Sequence, residues 1–328
     1  MKKCVSWILF VLMLVTLFST AASAETPSVA IVLANTLGDR SFYDSAKEGI
    51  DRLEADFGTV TKVIHCYEDA SQYEIGLDQG AQACDIVVAV GWQFWDALDS
   101  GVILEDYPDK KFLFVDNGLA DRGDNLMSIV YAQNEGSFLV GYIAGKMTKT
   151  GKIGAVGGQD SDTINDFIVG YKAGAALANP DCEVLVQYSN DYEDPAKGKE
   201  CALALHSMDC DIIFQIAGKT GEGVFEAARE AGFYAIGVDG DQKYINPDVI
   251  ICSMVKDVGR SIYEVVSHPD EYFKGGTIWK ADMATGFIDV VYGTEDMPQQ
   301  VSDELKSEVE ELKQKIISGE IVVPTTLE

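Results

Sequence analysis

The chain has 328 residues, 47% of them hydrophobic and 24% charged, with only 8 prolines. That mixture belongs to a globular protein and excludes a disordered or collagen-like chain. The 25 Lys and Arg face 53 Asp and Glu, a net charge of −28, and so acidic a surface repels phosphate backbones and argues against nucleic-acid binding.

Residues 1–24 read as an export signal. Lys2 and Lys3 precede an apolar run over 5–17 broken only by Ser6 and Thr16, and Ala22-Ser23-Ala24 supplies the small residues of a cleavage site. The run is too short to span a bilayer. Cys4 lies ahead of it, whereas a lipidated cysteine would follow it, so no lipobox is present. The expectation is a periplasmic protein, cut after Ala24 and not membrane-spanning. Losing two lysines deepens its net charge to −30.

Beyond the signal, short apolar strands alternate with amphipathic helices. Residues 28–34 predict a strand, and 42–53 a helix. Strands at 62–66, 85–90 and 112–115 follow, with a helix at 73–83 between the first two. Strands separated by helices of this length imply βαβ crossovers and parallel sheets covered on both faces. The text then repeats. Phe42 with Gly49 seven residues on returns as Phe167 with Gly174. Tyr67-Glu68-Asp69 returns as Tyr192-Glu193-Asp194, Cys84-Asp85-Ile86 as Cys210-Asp211-Ile212, and Val115-Asp116 as Val238-Asp239. Four matches in order, at offsets of 123 to 126 residues, indicate two copies of one α/β unit. A strand at 249–254 and a helix from Asp257 come after the second copy and are placed to return the chain to the first. A helix at 302–317, apolar at Leu305, Val309, Leu312 and Ile316, is expected to pack on the second unit.

Two open parallel sheets present their loops at the carboxyl ends of the strands, where ligands bind, so a cleft between the copies is the expected site. In the loop after the first strand, Asp39 and Ser41 suit a helix cap. Gly91-Trp92-Gln93-Phe94-Trp95 follows a strand with aromatics suited to stacking on a planar ring. Asp116 and Asp239 each end a strand and aim carboxylates at the cleft; Lys256 is placed to neutralise one of them. The run from Gly218 to Gly223 suits a tight turn or close approach to a neutral ligand better than a phosphate cradle, because it contains Glu222. No G-x-G-x-x-G follows the first strand and no P-loop is present. The three histidines are scattered and no C-x-x-C occurs, which leaves a metal site without support. Six cysteines remain after Cys4; an even count in an exported chain is compatible with disulfides, and equally with buried free thiols.

Gly38-Asp39-Arg40-Ser41-Phe42, 217–224 (AGKTGEGV), 236–242 (IGVDGDQ), Ser253-Met254-Val255-Lys256 and the closing 316–324 (IISGEIVVP) resemble the basic membrane lipoprotein family of ABC-importer substrate-binding proteins, one branch of which comprises purine nucleoside receptors. The resemblance implies a type I periplasmic-binding-protein fold: α/β, with two doubly wound parallel-sheet lobes joined by a three-stranded hinge. The lobes would be 25–131 plus 256–283 and 132–255 plus 284–328. It further implies Phe42 and Phe214 as rings stacking on a base, Asp116 contacting that base, and Asp239 and Lys256 binding ribose. Asp39, Trp92 and Gly218 complete the expected ligand set. Tyr43-Asp44 departs from the family's usual Asn after Ser-Phe.

The function implied is capture of a purine nucleoside by a monomer that needs no cofactor and delivers its ligand to a permease and its ATPase. The alternatives are a binding protein for a sugar or signalling molecule, and a nucleoside-cleaving enzyme that uses the two aspartates.

Overall fold

The computed structural model describes residues 26–327; the export signal and Cys4 lie outside the described residues. Among the described residues, twelve strands form two six-stranded sheets. The first contains β1 (Val29–Leu33), β2 (Thr61–His65), β3 (Ile86–Val90), β4 (Lys111–Val115), β5 (Leu126–Tyr131) and β11 (Ile278–Ala281), in the order β11-β5-β4-β3-β1-β2, with every pairing parallel. The second contains β6 (Lys152–Gly157), β7 (Glu183–Tyr188), β8 (Ile212–Ile216), β9 (Tyr234–Asp239), β10 (Ile250–Lys256) and β12 (Ile288–Val291), in the order β12-β10-β9-β8-β6-β7. Only β12 runs antiparallel to its neighbour. β1, β3 and β8 are buried along their whole length, as strands covered on both faces must be.

The helices that cover them are α1 (Phe42–Phe57), α2 (Ala70–Ala83), α3 (Gln133–Met147), α4 (Asp162–Ala178), α5 (Pro195–Ser207), α6 (Glu222–Ala231), α7 (Val258–Ser267) and α8 (Asp303–Ile317). α7 packs on α1, whereas α8 packs on α3 in the second lobe through Leu305, Val309, Leu312 and Ile316. The chain passes between the sheets three times: after Tyr131, after Lys256, and between Ala281 and Ile288.

Every sequence repeat occupies equivalent elements in the two lobes. Asp69 and Asp194 cap α2 and α5, accepting from the amides of Ser71 and Ala196. Asp85 and Asp211 precede β3 and β8, and each ties its strand to a neighbouring segment, the first through Ser28 and the second through Thr148, Lys149 and Thr150. Gly49 and Gly174 let helices touch: a Cβ at Gly49 would sit 2.1 Å from the Gly259 carbonyl oxygen, and one at Gly174 would sit 1.8 Å from that of Phe138. The six described cysteines are all free thiols, so the core carries the fold without staples.

Candidate ligand-binding cleft

In both sheets the strand order reverses beside the first strand of the lobe, between β1 and β3 and between β6 and β8. Loops leaving the two strands at such a point diverge and open a crevice. The cleft is built on these two crevices facing each other. From the first lobe come Asp39 and Phe42 after β1, Gly91, Trp92 and Gln93 after β3, and Asp116 at the end of β4. From the second come Thr163, Ile164 and Phe167 of α4, Tyr192 and Glu193 after β7, Gly218 and Lys219 after β8, and Asp239 ending β9. Lys256, the last residue of β10, reaches in at a crossing between the lobes.

Asp39 is buried, and its carboxylate caps α1. Oδ1 accepts from the amides of Ser41 (3.1 Å) and Asp44 (3.0 Å), and Oδ2 accepts from Tyr43 (2.9 Å). Burial pushes this carboxyl up to about 7 although the three amides pull it down. A helix N-terminus in a cleft is a ready anion site; here the chain's own carboxylate fills it. Asp116 and Asp239 both have left-handed backbones, with φ of +81° and +66°, a conformation that costs a non-glycine residue about 1–3 kcal/mol and clusters at functional sites. Asp116 accepts from Lys256 Nζ at 2.7 Å, and both side chains are under a tenth exposed. Burial pushes Asp116 up and the ammonium draws it back. Burial also raises Asp239, against Lys256 and the hydroxyl of Ser41.

The Lys256 ammonium is enclosed by rings, lying 4.8 Å from the Phe42 centroid, 5.0 Å from Phe167 and 5.2 Å from Tyr131. Such contacts stabilise a desolvated cation. Trp92 and Gly218 also line the cleft, and Gly218 has φ of +53°. Phe214, expected as a stacking ring, stands elsewhere. It is fully buried in β8 and packs on Tyr171 (5.3 Å between centroids) and Phe167 (6.5 Å), behind the cleft wall. The ring that faces the cleft from this lobe is Phe167, with Ile216 ending β8 beside it. Sequence reasoning also passed over Tyr192 and Glu193, although the repeat had marked both.

Polar contacts join the lobes around the rim. Thr36 donates to Glu193 (3.2 Å), which also pairs with Lys219 (3.2 Å), and Arg40 stands 3.6 Å from Glu222. The buried hydroxyl of Tyr192 and Oε1 of Gln93 have no hydrogen-bond partner among the described residues. The space left among the lining side chains is about 60 Å³, against roughly 300–1,000 Å³ for pockets that enclose drug-sized ligands. A ligand of that size needs more room than this arrangement of the lobes leaves.

A two-lobed cleft with flat walls and carboxylates from both sides is a design for enclosing a small polar molecule. The profile of the family described as "ABC transporter substrate-binding protein PnrA-like" matches residues 26–326. The chain belongs to that family. It is 34% identical to "Basic membrane protein A" of Borreliella burgdorferi over 93% of this chain and 90% of that relative. It is 31% identical to "ABC transporter nucleoside-binding protein BmpA" of Lactococcus lactis over 93% and 92%. Among solved structures, an ABC transporter solute-binding protein from Aeropyrum pernix superposes with a TM-score of 0.82 at 27% identity, covering 90% of this chain and 93% of that one. The periplasmic-binding-protein architecture and the two lobes agree with the expectation from sequence. Family members are binding proteins of transporters, so at family level the function is binding rather than catalysis. No helix among the described residues is long and apolar enough to cross a membrane.

Proposed function

We propose that this protein captures a purine nucleoside in the interlobe cleft and hands it to a membrane permease driven by an ATPase. The division into lobes of 25–131 plus 256–283 and 132–255 plus 284–328, with the three crossings as hinge, belongs to the same reading. The observation that carries it is the pairing of aromatic walls, Phe42 and Phe167, with carboxylates delivered by both lobes, Asp116 and Asp239. Rings suit a base, and carboxylates suit the donors of a base edge and of ribose hydroxyls. In this reading Phe42 stacks on the base, Asp116 accepts from its edge, and Asp239 and Lys256 hold the ribose, while Trp92 and Gly218 close the wall. A relative named for nucleoside binding supports the ligand class.

The cleft also favours nucleosides over nucleotides. Asp39 already fills the N-terminus of α1, and Glu193 stands at the rim paired with Lys219, so a phosphate group at that end of the cleft meets carboxylates and a cation already engaged. Calorimetry with inosine, adenosine and guanosine beside their 5′-monophosphates tests both statements. The nucleosides are expected to bind and the monophosphates to bind at least tenfold more weakly. Equal or tighter binding of the phosphates, or no binding of any nucleoside, overturns the reading.

A further inference from the structure

Ser41 occupies the N-cap of α1, where a serine hydroxyl normally accepts from the amide two or three residues on. It makes no such bond, because Asp39 already accepts from the amides of Tyr43 and Asp44. The second lobe shows the ordinary arrangement: Ser161, at the N-cap of α4, accepts from the Ile164 amide. The Ser41 hydroxyl is thereby released for another task. It crosses the cleft and donates to Asp239 Oδ2 at 2.5 Å, with Ser41 only 2% exposed. Ser41 is not among the side chains that line the cavity.

The neighbouring residue makes a parallel contact. The Arg40 carbonyl accepts from Gln242 Nε2 at 3.0 Å. Gln242 is buried and rigidly held: its Oε1 accepts from Gln215 Nε2 (2.7 Å) and the Val238 amide (2.9 Å), and its own amide donates to Ser253 Oγ (3.0 Å). The turn carrying Asp239 thus offers one acceptor and one donor, fixed in space, to two consecutive residues of the opposite lobe.

We propose that Ser41 is a positioning residue that couples lobe closure to the placement of the ligand-binding carboxylate Asp239. With the lobes apart, Asp239 turns to water. When they meet, the hydroxyl orients it and the same bond holds the cleft shut. That Asp239 touches the ligand rests on the nucleoside reading; that the clasp favours the closed form does not.

The test compares wild type with S41A, with inosine as the probe and S41T as the variant that keeps the hydroxyl. A hydrogen bond to a charged group, lost from the closed state alone, is expected to speed inosine release by roughly tenfold or more. The association rate should not fall, and the urea midpoint should hardly move, because Asp39 still caps the helix. X-ray scattering of the ligand-free proteins is expected to show S41A more extended than wild type, and S41T like wild type. Unchanged release from S41A, or an unchanged scattering profile, overturns the proposal. If wild type does not bind inosine, the nucleoside reading fails separately and the scattering comparison alone decides on the clasp.

Discussion

Replacing Lys256 by methionine tests the charge economy of the closed cleft. The ammonium and Asp116 are 2.7 Å apart and almost wholly buried. At an effective dielectric of about 20 their attraction is about 6 kcal/mol before desolvation is subtracted. Removing one partner of such a pair leaves a buried, uncompensated charge at a cost of about 3–5 kcal/mol. Protonating Asp116 to escape that cost at pH 7, from an ordinary carboxylate value, requires about 4 kcal/mol, so the two limits agree. Opening the lobes rehydrates Asp116 and removes the penalty altogether. K256M is therefore expected to stay folded while its closed-to-open ratio falls by about 10²–10³, since each 1.4 kcal/mol is about tenfold. Scattering from the ligand-free protein should show expansion, and inosine binding should weaken by at least the same order. The double variant D116N/K256M removes the orphaned charge and should recover much of the ligand-free compaction. If K256M is as compact as wild type, or the double variant is as expanded as K256M, the ion pair does not govern closure.

Phe42→Ala and Phe214→Ala should separate the wall from the core: the first weakens inosine binding with little loss of stability, whereas the second, at a fully buried position, lowers the unfolding free energy by about 3–5 kcal/mol. Urea titration and calorimetry on both variants check this, and binding lost equally in both would contradict the assignment. The pH dependence has a definite sign. Asp39, about 7 when folded against 3.8 ordinarily, takes up a proton on folding between those values, and burial shifts Asp116 and Asp239 in the same direction against the pull of Lys256. Stability from this source is complete below pH 3.8 and lost as pH climbs through about 7. Tm is therefore expected to be higher at pH 6 than at pH 8, and a flat or inverted profile would show that these carboxyls are not held in a desolvated site.

The parts of this architecture legible in sequence are those set by hydrophobic period and by repetition. β1, β3 and the helix face Leu305, Val309, Leu312 and Ile316 follow from pattern alone. The start of α2 at Ala70, ahead of the expected Tyr73, reflects the Asp69 cap, a local hydrogen bond that apolar periodicity does not register. Phe214 shows the harder limit. In a strand buried on both faces, an aromatic can point at the cleft or at a helix, and the sequence is the same for both. Phe167 sits in a helix whose apolar positions all read as core, and only its match to Phe42, with glycine seven residues on, signals the cleft. The run from Gly218 to Gly223 divides in the same way. Gly221 and Gly223 admit close approach, of the Gln215 side chain and of the Pro195 carbonyl, and of the three glycines Gly218 alone lines the cleft.

Duplication explains why the cleft exists, and the departures from duplication explain how it is used. Each copy delivers one carboxylate on a left-handed residue at the end of its fourth strand, Asp116 and Asp239. Two facing carboxylates repel, and a strict repeat would hold the lobes apart. The cation that reconciles them comes once, from Lys256, at the end of the additional strand β10, where the chain leaves the second lobe. It pairs with Asp116, and Asp239 takes the hydroxyl of Ser41 instead. That hydroxyl is available because the first lobe caps its helix with Asp39, whereas the second caps the corresponding helix with Ser161. Closure therefore depends on the residues at which the two halves have ceased to be alike.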